Sequence, residues 1–408
     1  MGLPGVGWLS RSLAERLQRR LLRAGVRVEL WNGASPYTVE RRPVGTLVLR
    51  DARTLWGLVY NPHLQFGESY MRGSLEVRGL LEPVLEALSR LSPAPTRRER
   101  LHLRFALPNS FRRARRNVHH HYDLGNDFYE GWLDRQMLYT CAYFDHPDVP
   151  LEDAQVAKMD MVSRKLRLQP GESVIEAGCG WGALALHMAR RYGVRVKAFN
   201  ISREQIAYAR ARAAREGLAG QVEFIDDDYR NVVSECDVFV SVGMLEHVGI
   251  RHFSSLAAVL ARVVRRTCGR GLLHFIGRDV PRPLNAWTRR RIFPGGYPPA
   301  LAEVATRVLA PARMSVLDVE NLRLHYARTL AHWSSRFASI GDQVRARYGD
   351  EFKRAWELYL AGSEAAFATG SLQLFQVVFA PFEAEPPYWT RADIYGNAPS
   401  ERWFTATR

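Results

Sequence analysis

Apolar residues near the start of the chain recur every three to four positions. Trp8, Leu9, Leu13, Leu17, Leu21 and Leu22 form one stripe, and Arg11, Arg16, Arg19, Arg20 and Arg23 fill the remaining arc, which predicts an amphipathic helix. Such a helix either packs on its own domain or lies on an anionic lipid surface. Short apolar runs at Val26–Leu30 and Thr46–Leu49, then FGESYMRGSLEV at Phe66–Val77, suggest a small α+β domain closed by a helix over Leu80–Leu91. Between Ser92 and Asn117 the pattern breaks into prolines and arginine clusters, including Arg112, Arg113, Arg115 and Arg116, and this predicts a basic linker.

Beyond the linker the period alternates. A helix over Pro150–Leu166 leads into an apolar strand at Val174, and further strands follow at Arg195–Phe199, Val222–Ile225, Val238–Val242 and Leu272–Ile276. Helices fill two of the gaps, Ala183–Arg191 and Ser202–Glu216, the second opened by Ser202 as N-cap three residues before Gln205. Alternating strands and helices make a parallel sheet with ligands beyond the strand C-termini, so the polar strand endings should meet in one crevice. Asp279–Pro299 reads as an inserted loop over that crevice, Leu322–Phe337 and Phe352–Ala368 as helices, and Leu374–Ala380 as a last strand. The tail from Glu383 carries no assignable pattern.

The chemistry concentrates at Val174–Gly182, VIEAGCGWG, where the first strand of this alternation ends in an acid and in three glycines at alternate positions, Gly178, Gly180 and Gly182. Glycines let the main chain turn tightly and approach a ligand, and the next helix offers the N–H groups of its first turn. The spacing is neither G-x-G-x-x-G nor a P-loop, which disfavours a dinucleotide or a nucleoside triphosphate. It suits an S-adenosylmethionine methyltransferase, whose strand-end carboxylate, here Glu176, would hold the cationic amino-acid end of the donor, directly or through water.

A formal charge of +15 predicts attraction to polyanions, either nucleic acid or a membrane face. The basic stretch lacks aromatic interleaving, and no NPPY-like motif or catalytic Pro-Cys is present, which counts against nucleic acid. The four cysteines, Cys141, Cys179, Cys236 and Cys268, are too scattered for a zinc cluster, and the three histidines 119–121 point different ways, so no metal is expected. With no leader-like or membrane-spanning run, the expectation is a cytoplasmic protein associated peripherally with the inner face of the membrane.

The blocks HHHYDLGNDFY, LYTCAYF, EAGCGWG, NISREQ, SVGMLEHVG, LLHFIG, IFPGGYPP and LHYARTLAHW occur in this order between Asn117 and Ala380. Together they resemble the cyclopropane-fatty-acyl-phospholipid synthase family, which includes the mycolic-acid cyclopropane synthases and related fatty-acid C-methyltransferases. The resemblance implies a Rossmann-like class I methyltransferase domain over 118–408, a smaller lipid-engaging N-terminal α+β domain over 1–91, and a basic linker over 92–117. It implies S-adenosylmethionine as donor, the unsaturated acyl chains of a phospholipid bilayer as acceptor, and a bound bicarbonate as base. The matching positions for the anion are Cys141, Glu246, His274, the main chain of Ile276, and Tyr326. Those for the donor are Tyr139, Thr140, Glu176, Gly178, Cys179, Gly180, Gly182, Asn200, Ser202, Gln205, Asp228 and Tyr229. Asn200 replaces the ribose-binding carboxylate common in other methyltransferases, and Ser74 stands where relatives often carry an aromatic residue. A homodimer is left open. So are a methylene-branched product, with a partner reductase to complete it, and a lipid-binding protein without catalysis.

Overall fold

The computed structural model describes residues 7–36, 42–91, 124–386 and 389–395. The arginine cluster at Arg112–Arg116 and the histidines 119–121 lie outside them. The chain gathers into two compact units, one built from 1–105, 282–294 and 326–372, the other from 106–281, 295–325 and 373–408.

In the first unit, strands β1 (Val26–Glu29), β2 (Gly45–Leu49) and β3 (Leu75–Arg78) form a sheet in that order, β1 parallel and β3 antiparallel to β2. The helix Trp8–Leu22 buries Ala14, Leu17 and Leu21 among Val26, Val28, Leu47, Leu55 and Leu75, so its stripe packs on its own unit, while Trp8 and Leu9 at its start stay exposed. Gln18 on the same helix is fully buried: its amide donates to Val26 O at 2.9 Å and accepts from Val28 N–H at 2.6 Å, satisfying the open side of β1.

Two short helices, Ala52–Tyr60 and Pro62–Met71, occupy the space where the sequence pattern showed only short apolar runs. Asp51 caps the first by accepting Thr54 N–H at 2.7 Å. Ser74 closes the turn into β3, its N–H on Ser69 O at 3.0 Å and its hydroxyl accepting from Thr54 Oγ1 at 2.9 Å. The stretch expected as an irregular inserted loop instead contains a helix, Ala286–Arg291, started by Asn285, which accepts Thr288 N–H at 2.7 Å. Prolines and glycines on both sides of AWTRRR masked it. Its Trp287 lies against Gly67, where a Cβ would come within 2.3 Å of the indole, and Arg291 grips both oxygens of Glu68 at 2.7 Å.

The second unit holds β4 (Ser173–Ala177), β5 (Arg195–Asn200), β6 (Val222–Asp226), β7 (Val238–Val242), β8 (Arg270–Gly277), β9 (Met314–Asn321) and β10 (Gln373–Pro381). The sheet order is β6-β5-β4-β7-β8-β10-β9, with β4 to β8 parallel and β10 antiparallel to both neighbours. The order reverses at β4, so a crevice opens beyond its C-terminal end. The predicted strands fall where they were placed, and β9 is an addition.

One helix, Leu151–Lys165, departs from the usual amphipathic design: besides Leu151, Ala154, Met159 and Val162 it buries Gln155, Lys158, Asp160, Ser163 and Lys165. Buried polar groups on this scale need partners, and those partners define the site. The unassigned tail contains a short helix, Ala392–Tyr395, held by Arg164 and Arg167, which donate to the carbonyls of Ile394 and Thr390 at 3.3 and 3.1 Å.

Candidate active site

The glycine bend begins where β4 stops. Gly178, Gly180 and Gly182 all have positive φ, and the N–H groups of Gly178 and Cys179 both donate to Phe199 O of β5, at 2.9 and 3.1 Å. At Gly182 the φ is +85° and an added Cβ would sit 2.5 Å from the Phe224 ring; at Gly178 it would meet Met244 at 3.0 Å. Only glycine meets both demands at Gly182. The bend is thereby held between the ends of β5 and β7.

Glu176 at the end of β4 is buried, takes the Ala185 N–H of the following helix, and keeps Oε2 without a partner among the described residues. Burial pushes its carboxyl up to about 7, and the nearby Lys158 ammonium opposes that rise. A buried carboxylate oxygen lacking a donor suits an incoming cationic group such as the ammonium of an amino acid. Asn200 ties the bend to the next helix, donating to Gly180 O at 3.2 Å and to Gln205 Oε1 at 2.8 Å and accepting the N–H groups of Ile201 and Ser202. Ser202 caps that helix through Gln205 N–H at 3.4 Å. Asp228 receives Arg230 on both oxygens, at 2.8 and 2.6 Å, and Tyr229 is buried beside it. Sequence proximity alone gave no sign that Arg230 engages this acid.

The aromatic density of 126–144 has a direct explanation. Tyr129, Trp132 and Tyr139 pack on one another with ring centroids 5.3–5.8 Å apart, and Tyr129 also meets Trp181 of the glycine bend at 5.1 Å. Trp181 in turn donates to Asn126 at 2.8 Å. This cluster sets Tyr139, Thr140 and Cys141 against the bend. The same segment is clamped from its other side by the Leu151–Lys165 helix: Gln155 donates to Thr140 O at 3.0 Å, Lys158 Nζ to Thr140 Oγ1 at 3.0 Å, and Ala154 O accepts Tyr143 N–H at 3.0 Å. The Thr140 methyl faces Gly243 at the end of β7, where a Cβ would approach within 3.1 Å. Lys158 is fully enclosed, and desolvation pulls its ammonium down to about 8 against the attraction of Asp134, Cys141 and Glu176. Sequence reasoning missed Lys158 and Gln155.

Beside this lies a second cluster. Glu246, one turn beyond β7, accepts Ile276 N–H at 2.5 Å through Oε1, and its Oε2 is buried without a partner among the described residues. Burial pushes its carboxyl up to about 7. His274 stands two residues before Ile276 on β8, so the two side chains share a face; Nδ1 meets Gln376 Nε2 at 3.0 Å, Nε2 is buried without a partner among the described residues, and desolvation holds the imidazole well below its usual range. Cys141 is buried with its thiol on Ala142 O at 3.1 Å. Cys141, Glu246, His274 and Ile276 all belong to the second unit. Tyr326 belongs to the first, where its ring stacks on Phe367 at 4.4 Å and meets Trp333 edge-on at 6.0 Å.

A parallel sheet reversing at β4, a glycine bend at the reversal and a buried acid with one open oxygen define a Rossmann-like S-adenosylmethionine-dependent methyltransferase. Comparison with known proteins narrows the class. The family model described as mycolic acid cyclopropane synthetase matches residues 109–377, and a domain of unknown function, DUF7884, matches 14–97. The chain is 34% identical over 91% of its length to a probable fatty acid methyltransferase of Pseudomonas putida, covering 96% of that protein. It is 39% identical over 64% of its length to the cyclopropane-fatty-acyl-phospholipid synthase of Escherichia coli K12, covering 66% of that enzyme. Among solved structures, the mycolic acid cyclopropane synthase CmaA1 complexed with SAH and CTAB superposes with a TM-score of 0.61 at 29% identity, over 65% of this chain and 97% of that one. The protein belongs to the mycolic acid cyclopropane synthetase family.

Proposed function

We propose that this methyltransferase converts the cis double bond of unsaturated phospholipid acyl chains into a cyclopropane ring, with bicarbonate as the base. The observation that carries the reading is a pair of buried polar atoms with no partner among the described residues, Glu246 Oε2 and His274 Nε2, one on a side chain bonded to the main chain of β8 and the other on β8 itself. Buried polar atoms ordinarily have partners, and a small oxyanion gives both of these one.

The donor supplies an electrophilic methyl on a sulfonium, and the work of the chain is to place it and to protect it. Glu176 offers its open oxygen to the cationic end, and the bend leaves no side chain between main chain and ligand. An alkene is a weak nucleophile, so holding it close in a dry cleft supplies much of the rate. Attack by the π electrons forms the new carbon–carbon bond as the methyl–sulfur bond breaks and its electron pair leaves on the sulfur, so that a cation remains on the lipid; loss of one proton from the transferred methyl to the base then closes the ring. Glu246 tolerates an anion beside it because burial favours its protonated form, which donates. His274, held neutral, is suited to donate as well.

A methyl-branched product has its own support, since the relative aligned over 91% of the chain is named a probable fatty acid methyltransferase. A hydride shift and proton loss from the same cation give a methylene branch, which a partner reductase completes. The excess of positive charge supports work at an anionic membrane face, and among the described residues no helix is long and apolar enough to cross a membrane. The test is to incubate purified enzyme with vesicles of cis-monounsaturated phosphatidylglycerol and methyl-labelled donor, with and without bicarbonate, and to analyse the acyl chains by gas chromatography and mass spectrometry. Labelled cyclopropane chains that depend on bicarbonate are expected. Labelled methylene chains would select the second reading, and unmodified chains would reject both.

A further inference from the structure

His274 ends a row whose other members the mechanism above leaves unused. Across three strands of the sheet, His274 on β8 pairs in register with Gln376 on β10, and Gln376 with Glu320 on β9. Paired residues on neighbouring strands project to the same face. Over that face runs the Leu151–Lys165 helix, whose Lys165 is buried and seven residues beyond Lys158, on the same side of the helix. Lys165 Nζ donates to Gln376 Oε1 at 2.6 Å and pairs with Glu320, and Gln376 Nε2 meets His274 Nδ1 at 3.0 Å. Among the described residues, Asp318 and Arg391, themselves an ion pair, Tyr395, whose hydroxyl meets Glu320 at 3.3 Å, and His325 are further charged or titratable groups around this lysine.

The donor and acceptor rules leave one arrangement. An ammonium has three donors and no acceptor, so the amide must turn its oxygen toward Lys165. Its NH2 then faces the imidazole, where only a lone pair can receive it, and Nδ1 is therefore the acceptor. A neutral imidazole with Nδ1 as acceptor carries its proton on Nε2, the buried atom without a partner. We propose that Lys165 and Gln376 are positioning residues that fix His274 as the Nε2–H tautomer, so that the ring presents a donor, and never a lone pair, to the oxyanion. The inference rests on the anion reading of Glu246 and His274 given above. Glu320 completes the device by keeping Lys165 charged, and a charged Lys165 keeps the amide from flipping.

The tautomer is observable in the wild-type protein, from the 15N chemical shifts of the imidazole in histidine-labelled enzyme, with His274 assigned by the signal that is lost in His274→Gln. The expected wild-type pattern is a protonated Nε2 and a bare Nδ1 from pH 6 to 9. An averaged pattern, or one with the proton on Nδ1, overturns the proposal. Gln376→Met, close in shape but without hydrogen bonds, should average the two ring nitrogens and lower kcat by about 10- to 100-fold while leaving the S-adenosylmethionine dissociation constant unchanged. Lys165→Met should do the same, and Lys165→Arg should restore both readouts. A Gln376→Met enzyme with an averaged ring and undiminished kcat would also overturn it. If wild-type enzyme leaves olefinic lipid untouched, the functional reading fails, whereas the spectrum still decides the tautomer.

Discussion

The carboxylate of Glu246 and the main-chain N–H of Ile276 are joined by a 2.5 Å hydrogen bond, which fixes an acid from the turn after β7 to the strand alongside. The bond uses one oxygen and leaves the other enclosed and unmet among the described residues. Replacing Glu246 by Gln preserves the shape but removes the acid, so turnover should fall by about 10²–10⁴-fold while donor binding holds. Single-turnover lipid assays set beside calorimetric titration separate the two. Equal losses in both would show that Glu246 serves the donor instead.

Glu246 and Glu176 each titrate at about 7 in the folded chain against an ordinary 4.5. Between those values the folded state binds more protons than the unfolded one, so these two carboxyls add stability below pH 4.5 that is lost as pH rises through 7. Glu246→Gln removes one of the two contributions. The slope of unfolding free energy against pH from 5 to 7 should therefore be shallower in the variant, as read by urea titration at several pH values.

Donor affinity should rise with pH across the same range, because the cationic end of the donor needs the ionised form of Glu176. Lys158 sharpens this dependence. Its ammonium favours the charged form of Glu176, so Lys158→Met should raise the Glu176 pKa further and weaken binding at pH 7 by about 3- to 10-fold. At pH 9, where the carboxyl is ionised in both proteins, the difference should shrink. A constant ratio at both pH values in calorimetry would assign Lys158 only to holding Thr140.

At Gly182 the φ of +85° and the 2.5 Å approach of Phe224 act together. Gly182→Ala should destabilise the second unit by about 2–4 kcal/mol, summing the cost of a left-handed alanine and of overpacking. It should also abolish donor binding. Thermal unfolding with and without donor checks both effects, since the wild-type stabilisation by ligand should vanish in the variant.

Much of the second unit was legible because its core strands are short apolar runs ending in glycine or polar residues, and the bend VIEAGCGWG sits where the sheet reverses. Edge strand β9 was not: MSVLDVEN mixes charge and apolar positions, as a strand with one open side does. Ala286–Arg291 was hidden by flanking prolines and glycines. The larger gap concerns Gln155, Lys158 and Lys165, polar residues on a helix, which composition alone assigns to solvent. A signal was present, since Val156, Met159, Met161 and Val162 surround the Leu151–Lys165 helix instead of keeping to one stripe, as expected when all sides are covered. Cross-strand partners such as Gln376 and His274 depend on register between segments about 100 residues apart, and no local pattern encodes that.

The buried amide of Gln18 bears on behaviour at high concentration. By answering the donor and acceptor of β1 from within its own unit, it gives an outer strand what a neighbour would otherwise provide, at the cost of a single side chain. A second copy finds no template there to extend. Growth by edge-to-edge accretion is shut off on that flank of the small sheet, and Gln18→Leu would reopen it.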